Sequence, residues 1–437
     1  MLGARRAHLL TPRAFRSALV APARLADVSQ GSENDKKTVH LVSTAGHPNF
    51  GDEFIAAAWL RFLADRQPDT EVVLDSPDPG LSAYLFEGLH PRVKFTNLLW
   101  RVSWATMDTD PDEGDKIVDG LVRDLGTPAF DLGLLEARRA TTVHMVGGGH
   151  ITANWLHHGR LVRAARRLAE VSDARFVATG LGLMPPIDPD RIRDDLAACD
   201  HATVRDSASA EMSGVELGVN DAFLALPALR GFGARPDPTG KPGDVWISIQ
   251  CDLAEPEVFE ATVAAVRALI ESGRFEGRTL RYVEAIPGRE RDRRAFDLLA
   301  DLIPEENFMS FVRLWHEGFP GQPLQTWITT RYHFHQLAAA VGADGIAIEI
   351  DDDYYRTKHQ SLAELGTGFA IAPVGFEKLP EPASNPDYRL KAGRLHKAKL
   401  EEAEALYPRV RPPQPAPVSE PVAPAAPSRP KGLFGRR

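Results

Sequence analysis

Cysteine is scarce. Cys199 and Cys251 are the only two in 437 residues, too few for a disulfide scaffold or a four-thiolate zinc site. That usage suits a reducing, cytoplasmic compartment. No stretch approaches the roughly 18 consecutive apolar residues of a membrane span. Leu9-Leu10 is cut off at once by Pro12 and Arg13, so the start offers no apolar core for a secretory signal. Basic residues are sparse in the body of the chain. Residues 38–407 carry 38 basic and 56 acidic side chains, net −18, while residues 1–37 carry +4 and residues 408–437 carry +5. So acidic a body lacks the broad basic face that nucleic acid requires, and nucleic acid is excluded as a partner. An anion bound there must be held by a few placed cations.

What is present is enough hydrophobic material, 43%, for large cores, at a length suited to two or three domains. Residues 1–37 read as a basic, disordered leader. Residues 408–437 contain nine prolines and read as an extended, disordered tail. Basic ends of this kind offer peripheral contact with an anionic membrane surface. Between them, short β-branched runs alternate with helical periodicity. Thr38–Ala45, Glu71–Asp75, Thr141–Val146, Arg175–Thr179 and His201–Val204 read as strands, and 52–66, 159–171 and 207–217 as helices. Gly231–Gly243 reads as a linker. A second series follows, with strands at 245–250, 279–285, 327–330 and 345–350. The expectation is α/β: two Rossmann-like domains with parallel sheets, 38–230 and 244–407, in a two-lobed arrangement with an interdomain cleft. The last helix is placed to pack back on the first domain. Ligands of such units sit at the carboxyl ends of the strands.

Six loops follow strands and carry chemistry-bearing residues. The first is His47-Pro48-Asn49-Phe50-Gly51-Asp52-Glu53, where Gly51 permits a tight turn and Asp52 and Glu53 open a helix. Asn49 and Asp52 suit orienting a hydroxyl or removing its proton. Gly147-Gly148-Gly149 brings backbone amides close to a ligand or packs tightly. It is neither a dinucleotide fingerprint nor a P-loop. Gly180-Leu181-Gly182 follows the next strand. Arg205 stands at a strand end where a helix begins, placed to grip a carboxylate or phosphate, the other reading being an ion pair with Asp206 or Asp221. Arg331 and His333 stand after the strand ending near Thr330, one suited to an anion and the other to proton exchange. His333 and His335 lack a third metal ligand, and the Asp351–Asp353 triplet reads as a solvated loop, so no metal is expected. Lys358, at the next helix start, suits a phosphate.

In this order, Asn-x-Gly-Asp-Glu, GGG, GxG with Pro, Arg-Asp-x-x-Ser, Arg-x-His and Tyr with Lys four residues on, the set resembles the polysaccharide pyruvyl transferase family over about residues 40–370. Two departures stand in the GxG element, where Leu181 and Met184 replace the usual Gln and Gly. The resemblance implies a two-lobed fold similar to GT-B glycosyltransferases. It also implies transfer of a pyruvyl unit from phosphoenolpyruvate to two hydroxyls of a sugar, giving a ketal and phosphate. The acceptor would be a saccharide or lipid-linked saccharide of a cell-surface polysaccharide or glycan. No cofactor is implied beyond that donor, and the setting would be cytoplasmic, at the inner face of the membrane. On this reading Arg205 and Arg331 hold the donor, with Lys358 as a further anion contact. His333 delivers a proton, Asp52 or Glu53 with Asn49 addresses the acceptor, and Gly147–Gly149 supports it. The alternative is a GT-B-like glycosyltransferase with a nucleotide-sugar donor.

Overall fold

The computed structural model of the chain describes residues 37–235 and 237–409. The basic leader up to residue 36 and the proline-rich tail from residue 410 lie outside the described residues. Among the described residues, no helix is long and apolar enough to cross a membrane.

The first sheet contains β1 (Thr38–Val42), β2 (Glu71–Asp75), β3 (Val93–Thr96), β4 (Thr142–Met145), β5 (Arg175–Leu181), β6 (His201–Val204) and β7 (Glu216–Leu217), in the order β3-β2-β1-β4-β5-β6-β7. The second contains β8 (Val245–Ser248), β9 (Leu280–Val283), β10 (Phe308–Met309), β11 (Thr326–Thr329), β12 (Asp344–Ile348) and β13 (Ala370–Ala372), in the order β10-β9-β8-β11-β12-β13. Every strand pairing in both sheets is parallel. The central strands are buried along their whole length, on both faces, so they show no apolar-polar alternation in sequence. Each sheet repeats the Rossmann order 3-2-1-4-5-6. The order in which strands are added reverses between β1 and β4 in the first lobe and between β8 and β11 in the second. Ligands of open parallel sheets bind outside the strand ends at these switch points.

The first helix, Phe50–Arg66, is not the one-sided surface helix its spacing suggests. It is buried almost all round, from Phe50 through Leu63 with few gaps. One apolar cluster runs from Leu41 and Phe54 of the first lobe through Phe50 to Phe319, Trp327 and Phe334 of the second. Phe50 packs with its ring 5.6 Å from that of Phe334, tilted by 50°, and donates its backbone N–H to Ala285 O at 3.0 Å. The cleft is therefore closed at its base by shared core.

The last helix, Tyr388–Leu406, returns to the first sheet. Lys399, fully buried, donates to Asp221 at 2.8 Å and also pairs with Glu402. Tyr407 bonds His144 of β4, and Arg175 of β5 donates to Leu406 O. Asp221 thus pairs with Lys399, not with Arg205, and also accepts from Trp59, Thr179 and Gly147. The helix read over 207–217 stops at Ser213, because Gly214 turns left-handed (φ 71°), and Glu216–Leu217 joins the sheet as β7.

Candidate active site

A cavity of about 520 Å³ opens where the two switch points meet. The loop after β1 contributes Asn49, Gly51 and Asp52. The loop after β4 contributes Gly149 and His150. Arg205 follows β6, Asp252 follows β8, and Arg331 and His333 follow β11. Lys358 reaches it from the helix Tyr354–Glu364. Residues up to 309 positions apart in sequence thereby share one wall.

Asn49 caps the first helix with its backbone carbonyl, which accepts from Asp52 and Glu53. Its side-chain amide donates to Asp52 Oδ2 at 2.7 Å, which fixes the carboxylate's orientation. Burial raises the Asp52 pKa against the opposing pull of Lys358 and Arg205. Glu53 is turned the other way. Successive helix residues are about 100° apart, so two adjacent acids cannot share a face. Glu53 is wholly buried, and both its oxygens accept from the backbone of Gly46 at 3.0 Å. Burial pushes its carboxyl up to about 8, so it is neutral at pH 7 and holds the turn rather than the acceptor. The residue that needs a left-handed turn here is Gly46 (φ 84°). Gly51 is glycine for a different reason. A Cβ there would sit 1.8 Å from His333 Nδ1, so the imidazole occupies the space a side chain would take.

His333 is not at a strand end. β11 stops at Thr329, and His333 lies in the first turn of the helix Tyr332–Val341. Its Nε2 is buried with no hydrogen-bond partner among the described residues. Burial, then Arg205 and Lys358, lower its pKa well below the ordinary imidazole value. His335, two residues on, points into the core and bonds His359 and Thr367, so the two histidines share no ligand. Among the described residues no cluster of three or more His, Cys, Asp or Glu is placed to hold a metal ion.

The cations differ sharply. Arg331 is 6% exposed and already engaged: its Nη2 donates to Asp252 Oδ1 at 2.8 Å and to Asp292, and its Nε to Asp292 Oδ2 at 3.2 Å. Burial alone would depress its pKa, but the two carboxylates outweigh that and raise it. The expectation of a free anion grip at Arg331 therefore needs correcting, since two acids from β8 and β9 loops neutralise it. Arg205 is the freer guanidinium. It stacks 4.4 Å over the Tyr332 ring, its Nε has no hydrogen-bond partner among the described residues, and Asp206 is 3.7 Å away. Gly149 and Gly182 make room for it, since a Cβ at either would lie under 3 Å from its guanidinium. Lys358, in the second turn of its helix rather than at its start, sits 3.5 Å over Tyr354. Burial and Arg205 lower its pKa well below the ordinary lysine value, with Asp52 opposing.

Of the three glycines only Gly149 lines the cavity. The Gly147 N–H is taken by Asp221 at 2.8 Å, and Gly148 O accepts from Gly182, so both belong to sheet packing.

The profile of the family described as polysaccharide pyruvyl transferase matches residues 49–262. Over those residues the chain is similar to the polysaccharide pyruvyl transferase family. That likeness marks it as a transferase. The matched span begins at Asn49, runs through Gly149 and Arg205, and ends before Arg331, His333 and Lys358. No curated protein matches the chain. Among solved structures it is similar to a putative UDP-N-acetylglucosamine 2-epimerase from Listeria monocytogenes, with 14% identity over 86% of this chain and 92% of that one, TM-score 0.47. It is also similar to UDP-GlcNAc 2-epimerase from Neisseria meningitidis bound to UDP-GlcNAc, with 11% identity over 86% and 94%, TM-score 0.46. A third is the spinosyn rhamnosyltransferase SpnG, with 14% identity over 85% and 96%, TM-score 0.40.

Two parts of this transferase's cavity escaped the sequence reading. Arg291, 46% exposed in its side chain, stands at the rim 3.6 Å from Asp252. Trp100, Trp104 and Trp155 also line the cavity. Three of only seven tryptophans fall within residues 100–155, and that clustering was the available signal.

Proposed function

We propose that the chain transfers a pyruvyl group from phosphoenolpyruvate to two hydroxyls of a saccharide, releasing phosphate. The observation that supports this most is the convergence of Arg205, Lys358, His333 and the Asn49–Asp52 pair on one cavity, in a chain similar to this family. Phosphoenolpyruvate carries a carboxylate and a phosphate on a three-carbon frame. Arg205 and Lys358 are cations with little compensation, and an anion between them relieves their burial. Arg331, held by Asp252 and Asp292, offers its remaining N–H groups.

In the step, a proton adds to the donor's methylene carbon and its π electrons form the new C–H bond. The adjacent carbon becomes electron-poor, and an acceptor hydroxyl oxygen attacks it while Asp52 accepts that hydroxyl's proton. The bond from this carbon to the phosphate oxygen breaks, and phosphate leaves with the electron pair. A second hydroxyl then closes the ketal. Of the two hydroxyl protons, one balances the new methyl C–H and the other leaves on phosphate. His333 is the proton carrier on this reading. Burial and then the field of Arg205 and Lys358 lower its proton affinity, and a bound dianion cancels that field and raises the affinity again. No metal or cofactor enters the sequence of steps.

The test is phosphate release from phosphoenolpyruvate in the presence of saccharide acceptors, with mass detection of the adduct. Loss of turnover in His333→Ala, with the variant folded, supports the assignment; retained turnover overturns it. Thermal shift separates the donors. Stabilisation by phosphoenolpyruvate supports the proposal, and stabilisation by a nucleotide sugar alone favours the glycosyltransferase. Contact of the basic ends with the inner face of a membrane is part of the same proposal, since a lipid-linked acceptor would be presented there.

A further inference from the structure

The chemistry above occupies the charged end of the cavity and leaves its aromatic end without a role. The rings there form a chain. Trp104 lies 6.1 Å from Trp100, Trp100 5.0 Å from His158, His158 5.6 Å from Trp155, and Trp155 6.2 Å from Tyr354. Tyr354 carries Lys358 over its face, so the chain ends at the charged site. Trp100 is buried, with its indole N–H bonded to Ser43 O at 2.9 Å, and acts as support. Trp104 and Trp155 are only half-buried and line the cavity. Trp155 owes its position to a non-helical backbone (φ −140°, ψ 78°) inside the turn Ala153–His158.

His150 adds an independent observation. It is 5% exposed, it lines the same cavity, and neither ring nitrogen has a hydrogen-bond partner among the described residues. Buried polar groups are ordinarily satisfied, so two such atoms on one side chain facing a cavity point to a ligand. Burial keeps the ring neutral, with a pKa near 3, so it offers one N–H donor and one nitrogen acceptor. A hydroxyl, or a vicinal pair of hydroxyls, matches that set. An anion matches only the N–H and leaves the nitrogen acceptor without a donor.

Aromatic faces are electron-rich, and the C–H bonds on one face of a pyranose present the complementary positive edge. A neutral sugar ring therefore fits both features: C–H groups on the indoles and hydroxyls toward His150. We propose that Trp104, Trp155 and His150 form a subsite for a pyranose ring of the acceptor, adjoining the donor end at Tyr354 and Lys358. This rests on the pyruvyl-transfer reading.

The probes are methyl β-glycopyranosides of galacto, gluco and manno configuration. Each is titrated into the full chain in the presence of phosphoenolpyruvate and read by saturation-transfer NMR. At least one is expected to bind, and Trp104→Ala and Trp155→Ala are each expected to weaken it roughly tenfold, with Trp→Phe recovering most of the loss. His150→Ala is expected to weaken binding while Trp104 and Trp155 remain in place. The phosphoenolpyruvate melting shift should persist in every variant, which shows that each is folded and donor-competent. Absence of that shift in the wild-type chain would sink the donor reading. A normal shift with no glycoside binding, or with binding unchanged in both tryptophan variants, would sink the subsite alone. Displacement of a bound glycoside by UDP without phosphoenolpyruvate would assign the wall to a nucleobase and overturn the proposal.

Discussion

Asp252 shares Arg331 with Asp292, and the two acids are not equivalent. Asp292 is completely buried, and its oxygens also accept from the backbone of Ala285 and Ile286, so it is built into the second lobe. Asp252 lines the cavity on the loop after β8, and the next residue, Leu253, is held left-handed (φ 63°) and 45% exposed. Its Oδ1 lies 2.8 Å from Arg331 Nη2, on the side where a donor anion would approach. An anion about 5 Å from that carboxylate is repelled by about 3 kcal/mol at an effective dielectric constant near 20. Asp252→Asn removes the charge, while its amide oxygen still accepts from Arg331 and Asp292 still holds the guanidinium. Part of the gain is offset by looser positioning, leaving about 1–2 kcal/mol, or roughly a tenfold tighter dissociation constant for phosphoenolpyruvate. Titration calorimetry at fixed ionic strength reads this directly. Weaker or unchanged donor binding in Asp252→Asn would refute the reasoning, showing that Asp252 orients Arg331 for the donor rather than standing in its place.

Three other perturbations follow from the packing. Lys399→Ala strands Asp221 as a wholly buried carboxylate and should destabilise the chain by about 3–5 kcal/mol in denaturant unfolding, with Asp221→Asn in the same chain restoring part of it. Gly51→Ala adds a methyl where the buried His333 ring stands; overpacking costs about 1–3 kcal/mol against a helix-propensity gain of up to about 1 kcal/mol, so the melting temperature should fall only modestly while turnover falls at least about a hundredfold. Glu53 takes up protons more readily folded than unfolded, with its pKa raised from 4.5 to about 8. Its contribution is fully present below pH 4.5 and is lost as pH rises toward 8. Glu53→Gln mimics the protonated form, so the variant should gain stability over wild type as pH climbs through that window. A difference that is flat with pH would count against a neutral Glu53.

The sequence shows the central strands and hides their order. Buried parallel strands such as Val245–Ser248 and Thr326–Thr329 are short uncharged runs rich in aromatic and β-branched residues, so they stand out. β3, β7 and β10 span two to four residues, and β3 and β7 are largely exposed or half-buried, so nothing in their pattern marks them. The site divides the same way. Asn49, Asp52, Arg205, His333 and Lys358 all reach one cavity because each follows a strand whose carboxyl end faces it or lies on the helix beyond. Glu53 was separable from Asp52 by helical geometry alone, since neighbours on a helix diverge by about 100°. The neutralisation of Arg331 was not legible, because Asp252 and Asp292 lie 79 and 39 positions away in other loops.

That neutralisation changes what the −18 body of the chain implies. An anion there was expected to be gripped by two arginines from opposite lobes. Arg331 carries its own two carboxylates, so the field in the cavity is set instead by Arg205 and Lys358, with Arg291 at the rim. Burial depresses the proton affinity of His333, and Arg205 and Lys358 depress it further. A monoanion would cancel one of those charges and leave the imidazole neutral. A ligand with two or more negative charges cancels both and raises the proton affinity of His333 the more, leaving burial alone to oppose the proton. The arrangement therefore couples occupancy by a polyanionic donor to the arming of the acid. Inorganic phosphate, bound in place of the donor, should raise the His333 pKa in NMR titration, and a singly charged carboxylate such as acetate should raise it far less. Equal shifts from the two would show that proximity, and not charge number, controls the proton.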